Sequence, residues 1–361
     1  KQQHATRLAA RGHRVLYVDR HAATEPATPS SAVGTLFPAA TGRGAQQFDM
    51  RVWVHTHHHA PVLGWRLNEA RRPRILRAVV RRLGLRAPVV LAFHADAAEL
   101  MEAVGPAVRV YYAVDELSAF GDRPDDERRR IREREDAILR RADVAFGVSP
   151  RLVERFRAVQ PNSHLLENGV DPAHFHPERL AGLAGDAEIR QLPRPRLGFV
   201  GQIDERMDQR LIVSLARLRR DWQIVLIGRV KRGVDVSAMR AEPNMRFVGF
   251  RGYHALPRVM HELDVGLVPY RSTVLTQSCN PSKTLEYVAA GLPVVSTPLE
   301  GIGACRPVTR FATDGASLVL AVEEALAAGQ AERDRRLAIA TANSWEHRTD
   351  VLEAWILDAL E

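Results

Sequence analysis

Short apolar runs alternate with helical patterns along almost the whole chain, and this alternation limits the fold more than any other feature. Gln2 to Arg11 reads as a helix closed by Gly12. "HRVLYVD" (13–19), "RVWVH" (51–55), "PVVLAF" (88–93), "VRVYYAV" (108–114) and "VAFGV" (144–148) read as buried strands. Helical patterns lie between them, notably over 66–83, 95–104 and 125–142. Such alternation implies βαβ units on a parallel sheet. Two prolines in "QLPRPR" (191–196) then break the pattern and read as a linker or a domain entry. A second series follows: "LGFVGQI" (197–203), "QIVLIG" (223–228), "MRFVGF" (245–250), "DVGLVPY" (264–270) and "LPVVST" (292–297). The closing stretch "NSWEHRTDVLEAWILDALE" reads as one amphipathic helix. The expected class is therefore α/β, with two Rossmann-like domains whose parallel sheets face each other across a cleft. The first spans 1–192, the second 193–343, and the helix 344–361 crosses back to the first.

The 361 residues suit two domains, and 45% apolar content supplies both cores. The chain begins Lys1-Gln2-Gln3 inside a helical pattern, so a preceding segment with the first strand is expected. No apolar run approaches a membrane span. The two cysteines, Cys279 and Cys305, make no disulfide framework and fit a reducing cytoplasm. The net charge of +8 raises nucleic acid, anionic lipid or phosphorylated ligands as partners. Arginine is spread through the whole chain and no nucleic-acid motif is present, so no nucleic-acid partner is expected.

Residues 264–297, "DVGLVPYRSTVLTQSCNPSKTLEYVAAGLPVVST", carry the most chemistry. A buried strand ends at Tyr270 and a polar loop follows. Pro281 closes the loop, and a helix starts near Ser282 and stops at Gly291 and Pro293. Ligands of parallel α/β sheets bind at the carboxyl ends of strands. The amides of Ser282, Lys283 and Thr284 stand at the positive end of the helix, and Lys283 adds a full charge. Together they would cradle a diphosphate. Glu286, one turn further, could accept hydrogen bonds from ribose hydroxyls. An ordinary capped crossover helix would share the same pattern.

This stretch resembles the donor-binding signature of the GT-B glycosyltransferases, in particular the family 4-like, group 1 type, where "NPxKxxEY" and "AAGxPVVST" occur in this order. "GFVGQIDERMD" (198–208), "RFVGFRGYHALPRVMHELDVGLVPY", "VSPRLVERF" and "LLENGVDPAHF" resemble further segments of that family in the correct order. The likeness is close over 108–345 and loose over 1–107. It implies that Glu286 holds the donor ribose, while the first glutamate of the family's pair falls on Ser278 and is lost. It places the diphosphate at Lys283 and the backbone of Ser282, Thr284 and Leu285, with Gly201 allowing close approach and Arg206 the nearest cation. Phe250 and Arg251 fall where the base is held, Thr276, Gln277 and Asn280 lie in the preceding loop, and Arg229 ends another strand. No cofactor is implied, because the nucleotide-sugar is a substrate, and no metal, because no Asp-x-Asp stands at a strand end.

Glycosyl transfer needs a base at the acceptor hydroxyl. Relatives carry a His after the fourth strand, and here Asp115 takes that place, followed by Glu116. Asp115 could equally cap a helix. His94, ending "VVLAFH", is the rival base. In "VHTHHHAP" (54–61), His57, His58 and His59 are read as an acceptor loop, since no Cys or carboxylate stands at metal-ligand spacing. Residues 71–86 hold seven arginines along an apolar stripe, which reads as a surface helix packed on the sheet or as a contact with anionic lipid. The expected activity is hexosyl transfer from a UDP- or GDP-sugar to a sugar, lipid-linked or small-molecule acceptor. Retention, metal independence and a cytoplasmic place, free or peripheral at the inner membrane face, in polysaccharide, glycolipid or glycosylated-metabolite synthesis complete the expectation. A nucleotide-sugar epimerase and a non-catalytic nucleotide-sugar binder are the alternatives.

Overall fold

The computed structural model describes residues 2–19, 45–49, 51–56, 65–121, 123–180 and 184–361. Contacts divide the chain into two compact units. The first holds 1–147, 152–166 and 349–361, and the second holds 148–151 and 167–348.

In the first unit, β1 (Val15–Asp19), β2 (Ala45–Asp49) and β3 (Val52–Thr56) form one sheet in the order β1-β3-β2. β1 runs parallel to β3 and β2 antiparallel. The strands β4 (Val89–Ala92), β5 (Val108–Ala113), β6 (Val144–Gly147) and β7 (Ser163–Leu165) form a second, wholly parallel sheet in sequence order. β1 and β4 line a common, mainly apolar cavity of about 800 Å³. The sequence led to one parallel sheet here. The sequence does not announce β2, because "AQQFD" carries no apolar alternation, and pairing with β3 places it.

The second unit is one six-stranded parallel sheet. Its strands are β8 (Arg196–Val200), β9 (Gln223–Ile227), β10 (Met245–Gly249), β11 (Val265–Val268), β12 (Val294–Ser296) and β13 (Thr309–Phe311). They lie in the order β10-β9-β8-β11-β12-β13. β8, β9, β11 and β12 are buried along their whole length, as continuous apolar runs covered by helices on both faces should be. The order reverses direction between β8 and β11, so the crevice for a ligand opens at the ends of those two strands.

The boundary between units falls earlier than the proline break. Residues 167–192 group with the second unit because polar ties hold them there. Asn168 donates its backbone amide to Asn280 Oδ1 at 2.9 Å, Arg251 pairs with Asp186 at 2.7 Å, and Arg190 pairs with Glu262 at 3.1 Å. The helix Trp345–Asp358 ends in the first unit. There Thr349 Oγ1 meets His4 Nδ1 at 2.9 Å, Leu352 is buried, and Trp355 stacks on His164 at 3.6 Å. Burial holds His4 neutral, with its pKa lowered to about 3.

The arginine-rich segment forms the helix Trp65–Arg82. Its stripe of Leu76, Val79 and Val80 is buried, and Arg77 donates to the Ala103 carbonyl at 2.7 Å. No helix among the described residues is long and apolar enough to cross a membrane.

Candidate functional site

The helix Ser282–Ala289 starts behind Pro281, which offers no side-chain cap. The sequence suggested three open amides, but Thr284 donates its N–H to the Pro281 carbonyl at 3.0 Å. The pair left open among the described residues is therefore Ser282 and Lys283. Ser282 is exposed, Leu285 belongs to the core, and the buried hydroxyl of Thr284 has no hydrogen-bond partner among the described residues. Tyr287 fixes how the helix sits. Its hydroxyl accepts from Val200 N at 2.7 Å and lies 3.2 Å from the Gly198 carbonyl, both on β8. Gly266 makes room, since a Cβ there would stand 2.5 Å from the Tyr287 ring.

Residues four apart share a helix face, so Lys283 also points toward β8. Its Nζ sits 3.8 Å from the Phe199 ring centre and donates to Tyr270 Oη at 2.8 Å. Gly201 lies directly beneath: its φ is +137°, and a Cβ there would come within 2.7 Å of Lys283 Nζ. Any larger residue would thus push the ammonium away, and the left-handed backbone itself favours glycine. Gly228 meets Gly201 in turn, where a Cβ would fall 1.8 Å from the Gly201 carbonyl oxygen. Burial, and then the nearby Arg206, depress the Lys283 pKa from 10.5 to about 7. Burial raises that of Glu286 from 4.5 to about 7, opposed by Lys283. The carboxylate of Glu286 has no side-chain hydrogen bond among the described residues.

Arg206 packs over Tyr270 at 5.5 Å and forks onto Asp204, with 2.6 Å between Nη2 and Oδ2. Asp208 caps the helix Gln209–Leu218 through Leu211 N. Lys283, Glu286, Gly201 and Arg206 thus converge at the ends of β8 and β11. Phe199, Tyr270 and Asp204 complete the cluster, and of these the sequence singles out Tyr270 alone, as the end of a strand.

The loop residues serve mainly as braces. Thr276 is buried and forms a reciprocal capping box with Thr273. Gln277 donates to the Pro298 carbonyl at 2.9 Å and accepts from Glu300 N at 2.9 Å. Asn280 donates to the Gly301 carbonyl at 2.6 Å while accepting from Asn168. Ser278, at the lost glutamate position, is buried. Arg229 is exposed over the Phe250 ring at 4.8 Å, and Arg251 is bound to Asp186 and Glu188, both at 2.7 Å.

In the first unit, Asp115 is partly exposed in the bend that follows β5. The cap position of the next turn, Leu117–Ala119, is Glu116 rather than Asp115, and it makes no side-chain cap bond. Glu116 is buried, accepts from Ser118 Oγ at 2.6 Å and lies 3.1 Å from Arg155 Nε. This carboxylate holds the turn and is not open to a substrate. His94 caps the turn Ala95–Ala97 through its ring nitrogen and remains about a third exposed. His57, His58 and His59 lie outside the described residues. Among the described residues no three His, Cys, Asp or Glu side chains gather as metal ligands.

Residues 194–331 match the family model described as glycosyl transferases group 1. The matched stretch lies wholly within the second unit, which is thus similar to the group 1 glycosyl transferases. A Bacillus subtilis protein assigned as a teichuronic acid biosynthesis glycosyltransferase is 30% identical over 182 residues, 48% of this chain and 44% of the relative. The match thus spans under half of that relative's length. Sucrose-phosphate synthase from Thermosynechococcus elongatus superposes with a TM-score of 0.73 at 17% identity, covering 99% of this chain and 92% of that one. Anabaena HepE in complex with UDP and glucose gives 0.66 at 16%, covering 96% and 99%. An Escherichia coli structure titled trehalose-6-phosphate, bound with UDP-2-fluoro glucose, gives 0.63 at 14%, covering 96% and 98%. The fold is that of the GT-B glycosyltransferases, two Rossmann-like domains.

Proposed function

We propose that the chain transfers a hexosyl group from a nucleoside diphosphate sugar to an acceptor hydroxyl, in polysaccharide biosynthesis, without a metal ion. The observation that carries this is Lys283, buried at an uncapped helix start and pressed against Gly201 at the reversal of strand order. A diphosphate placed there would meet two free amides, the helix dipole and one cation, which stabilises the charge that develops as the sugar leaves. Glu286 would hold the ribose. UDP is favoured over GDP because the HepE and E. coli neighbours are described with UDP or a UDP-sugar. The likeness to a protein of teichuronic acid synthesis favours a polysaccharide product. Retention follows from the family likeness of the "NPSKTLEY" segment. Asp115 is the proposed base at the acceptor hydroxyl, with His94 as its rival.

Calorimetric titration with UDP tests the donor site. Glu286→Ala should weaken binding by about 1.5–3 kcal/mol, the worth of a hydrogen bond to a charged group. Affinity equal to wild type in a folded variant would remove the ribose role. Turnover of a UDP-sugar should persist in EDTA, and loss of activity restored by Mg²⁺ or Mn²⁺ would overturn the metal-free mechanism.

A further inference from the structure

Resting on the transferase reading above, we propose that the first unit selects an anionic saccharide through an arginine-lined groove at the carboxyl ends of β4 and β5. The groove encloses about 560 Å³, enough for one or two sugar rings. His94 and Asp96 border it just past β4, and Leu117 and Phe120 border it just past β5. Its remaining wall is one face of the helix Asp125–Leu139. Glu127, Arg130, Ile131 and Arg134 stand there at the i, i+3, i+4 and i+7 spacing that shares a helix face. Arg123 closes the rim.

Three arginines and two carboxylates line the groove, so the lining itself is net positive, with Asp126 at its edge meeting Arg130. The pairing among them is loose. Arg123 stands 3.6 Å from Glu127, Arg134 stands 3.6 Å from Asp96, and Arg130 turns to Asp126 outside the groove at 3.4 Å. Arg130 and Arg134 are exposed and Arg123 is partly so, and such ion pairs add little stability. Charge-assisted hydrogen bonds run nearer 2.7–2.9 Å, so an incoming anion would gain contacts that the resting pairs do not make. Arg155, on the same unit, shows the contrast: it is bound to the buried Glu135 and Glu116 and is committed to the core. Arginine grips planar carboxylates and phosphates bidentately. Phe120, Ile131 and Leu117 give the groove an apolar side for the C–H face of a sugar ring.

Binding of methyl β-D-glucuronide, glucose 6-phosphate and methyl β-D-glucoside to the full chain tests this by titration calorimetry. At least one anionic sugar should bind about tenfold more tightly than the neutral one, and the preference should shrink as salt rises. The glucuronide and phosphate arms tell which anion is read. The combined Arg123→Gln, Arg130→Gln and Arg134→Gln variant should bring all three sugars to similar affinity while UDP binding stays at the wild-type value. Arg134→Gln alone should lose part of the preference, which keeps the test open if the triple variant unfolds. Equal binding of neutral and anionic sugars, or a preference that survives the triple substitution, would overturn the proposal. These readouts need no turnover, so failure to release UDP with any acceptor would count against the transferase reading separately.

Discussion

Lys283 and Glu286 lie one turn apart on one helix, and their opposed shifts make a prediction at the level of single protons. Between pH 4.5 and 7 the folded protein keeps a proton on Glu286 that the unfolded chain has lost, so the stability from this group falls as pH rises. Between pH 7 and 10.5 the unfolded chain keeps a proton on Lys283 that the folded protein has lost, so stability rises with pH. The pair therefore contributes least near pH 7 in the ligand-free protein. Urea unfolding across pH 5–10 should show this dip in wild type and not in a Lys283→Met, Glu286→Gln double variant. A bound diphosphate should recharge Lys283, so UDP binding at pH 8 should take up protons. Calorimetry in buffers of different ionisation enthalpy measures that uptake, and Lys283→Met should abolish it. Asp115 gives the second residue-scale prediction. Asp115→Asn should cut turnover by about 10²–10⁴-fold, the usual worth of a positioned base, with UDP affinity unchanged. Full activity would move the assignment to His94. The cluster around Lys283 was readable because Asn280-Pro281, Lys283 and Glu286 stand at fixed spacing after a strand. The roles of Thr276, Gln277 and Asn280 were not, because a polar loop residue looks the same in sequence whether it contacts a ligand or braces its own loop.

At the scale of elements, the helix Asp125–Leu139 shows how one segment divides its work. One face lines the groove, while Glu135 is buried and receives the Tyr111 hydroxyl at 2.6 Å and the Arg155 guanidinium. Burial raises the Glu135 pKa, and Arg155 opposes the shift. Arg155→Ala would leave Glu135 and Glu116 buried without their cation, and removal of one partner from such a network costs about 3–5 kcal/mol. Chemical denaturation should show a loss of this size, and a change under 1 kcal/mol would mean that the network is well solvated. The sequence announced the helix by its acidic start and its strong helix formers, and it announced every strand with a continuous apolar run. It did not announce β7 or β13. Each is only three residues long, and "SHL" and "TRF" hold too few apolar residues for a period to register. Their positions come from pairing with β6 and β12.

For the molecule as a whole, the two-unit α/β plan was legible from the two series of strands, and the break at Pro193 and Pro195 was visible as composition. The true division was not, because Asn168, Asp186 and Arg190 choose their unit through partners far away in sequence. The returning helix gives a prediction at this scale. Deleting 349–361 removes Thr349, Leu352, Trp355 and Ile356 from the first unit, together with the Arg11 pairs to Asp350 and Glu353, both at 2.6 Å. The first unit should then unfold at lower denaturant while UDP still binds the second, as intrinsic fluorescence and calorimetry on the truncated chain would show. The same returning helix bears on the order of events during synthesis. The long segment of the second unit, 167–348, leaves the ribosome as one continuous stretch behind the short piece 148–151. The first unit begins earlier yet lacks a wall until 349–361 have been made. The half of the protein that is translated first is therefore the half whose last contacts form last, after the chain of the second unit has been made.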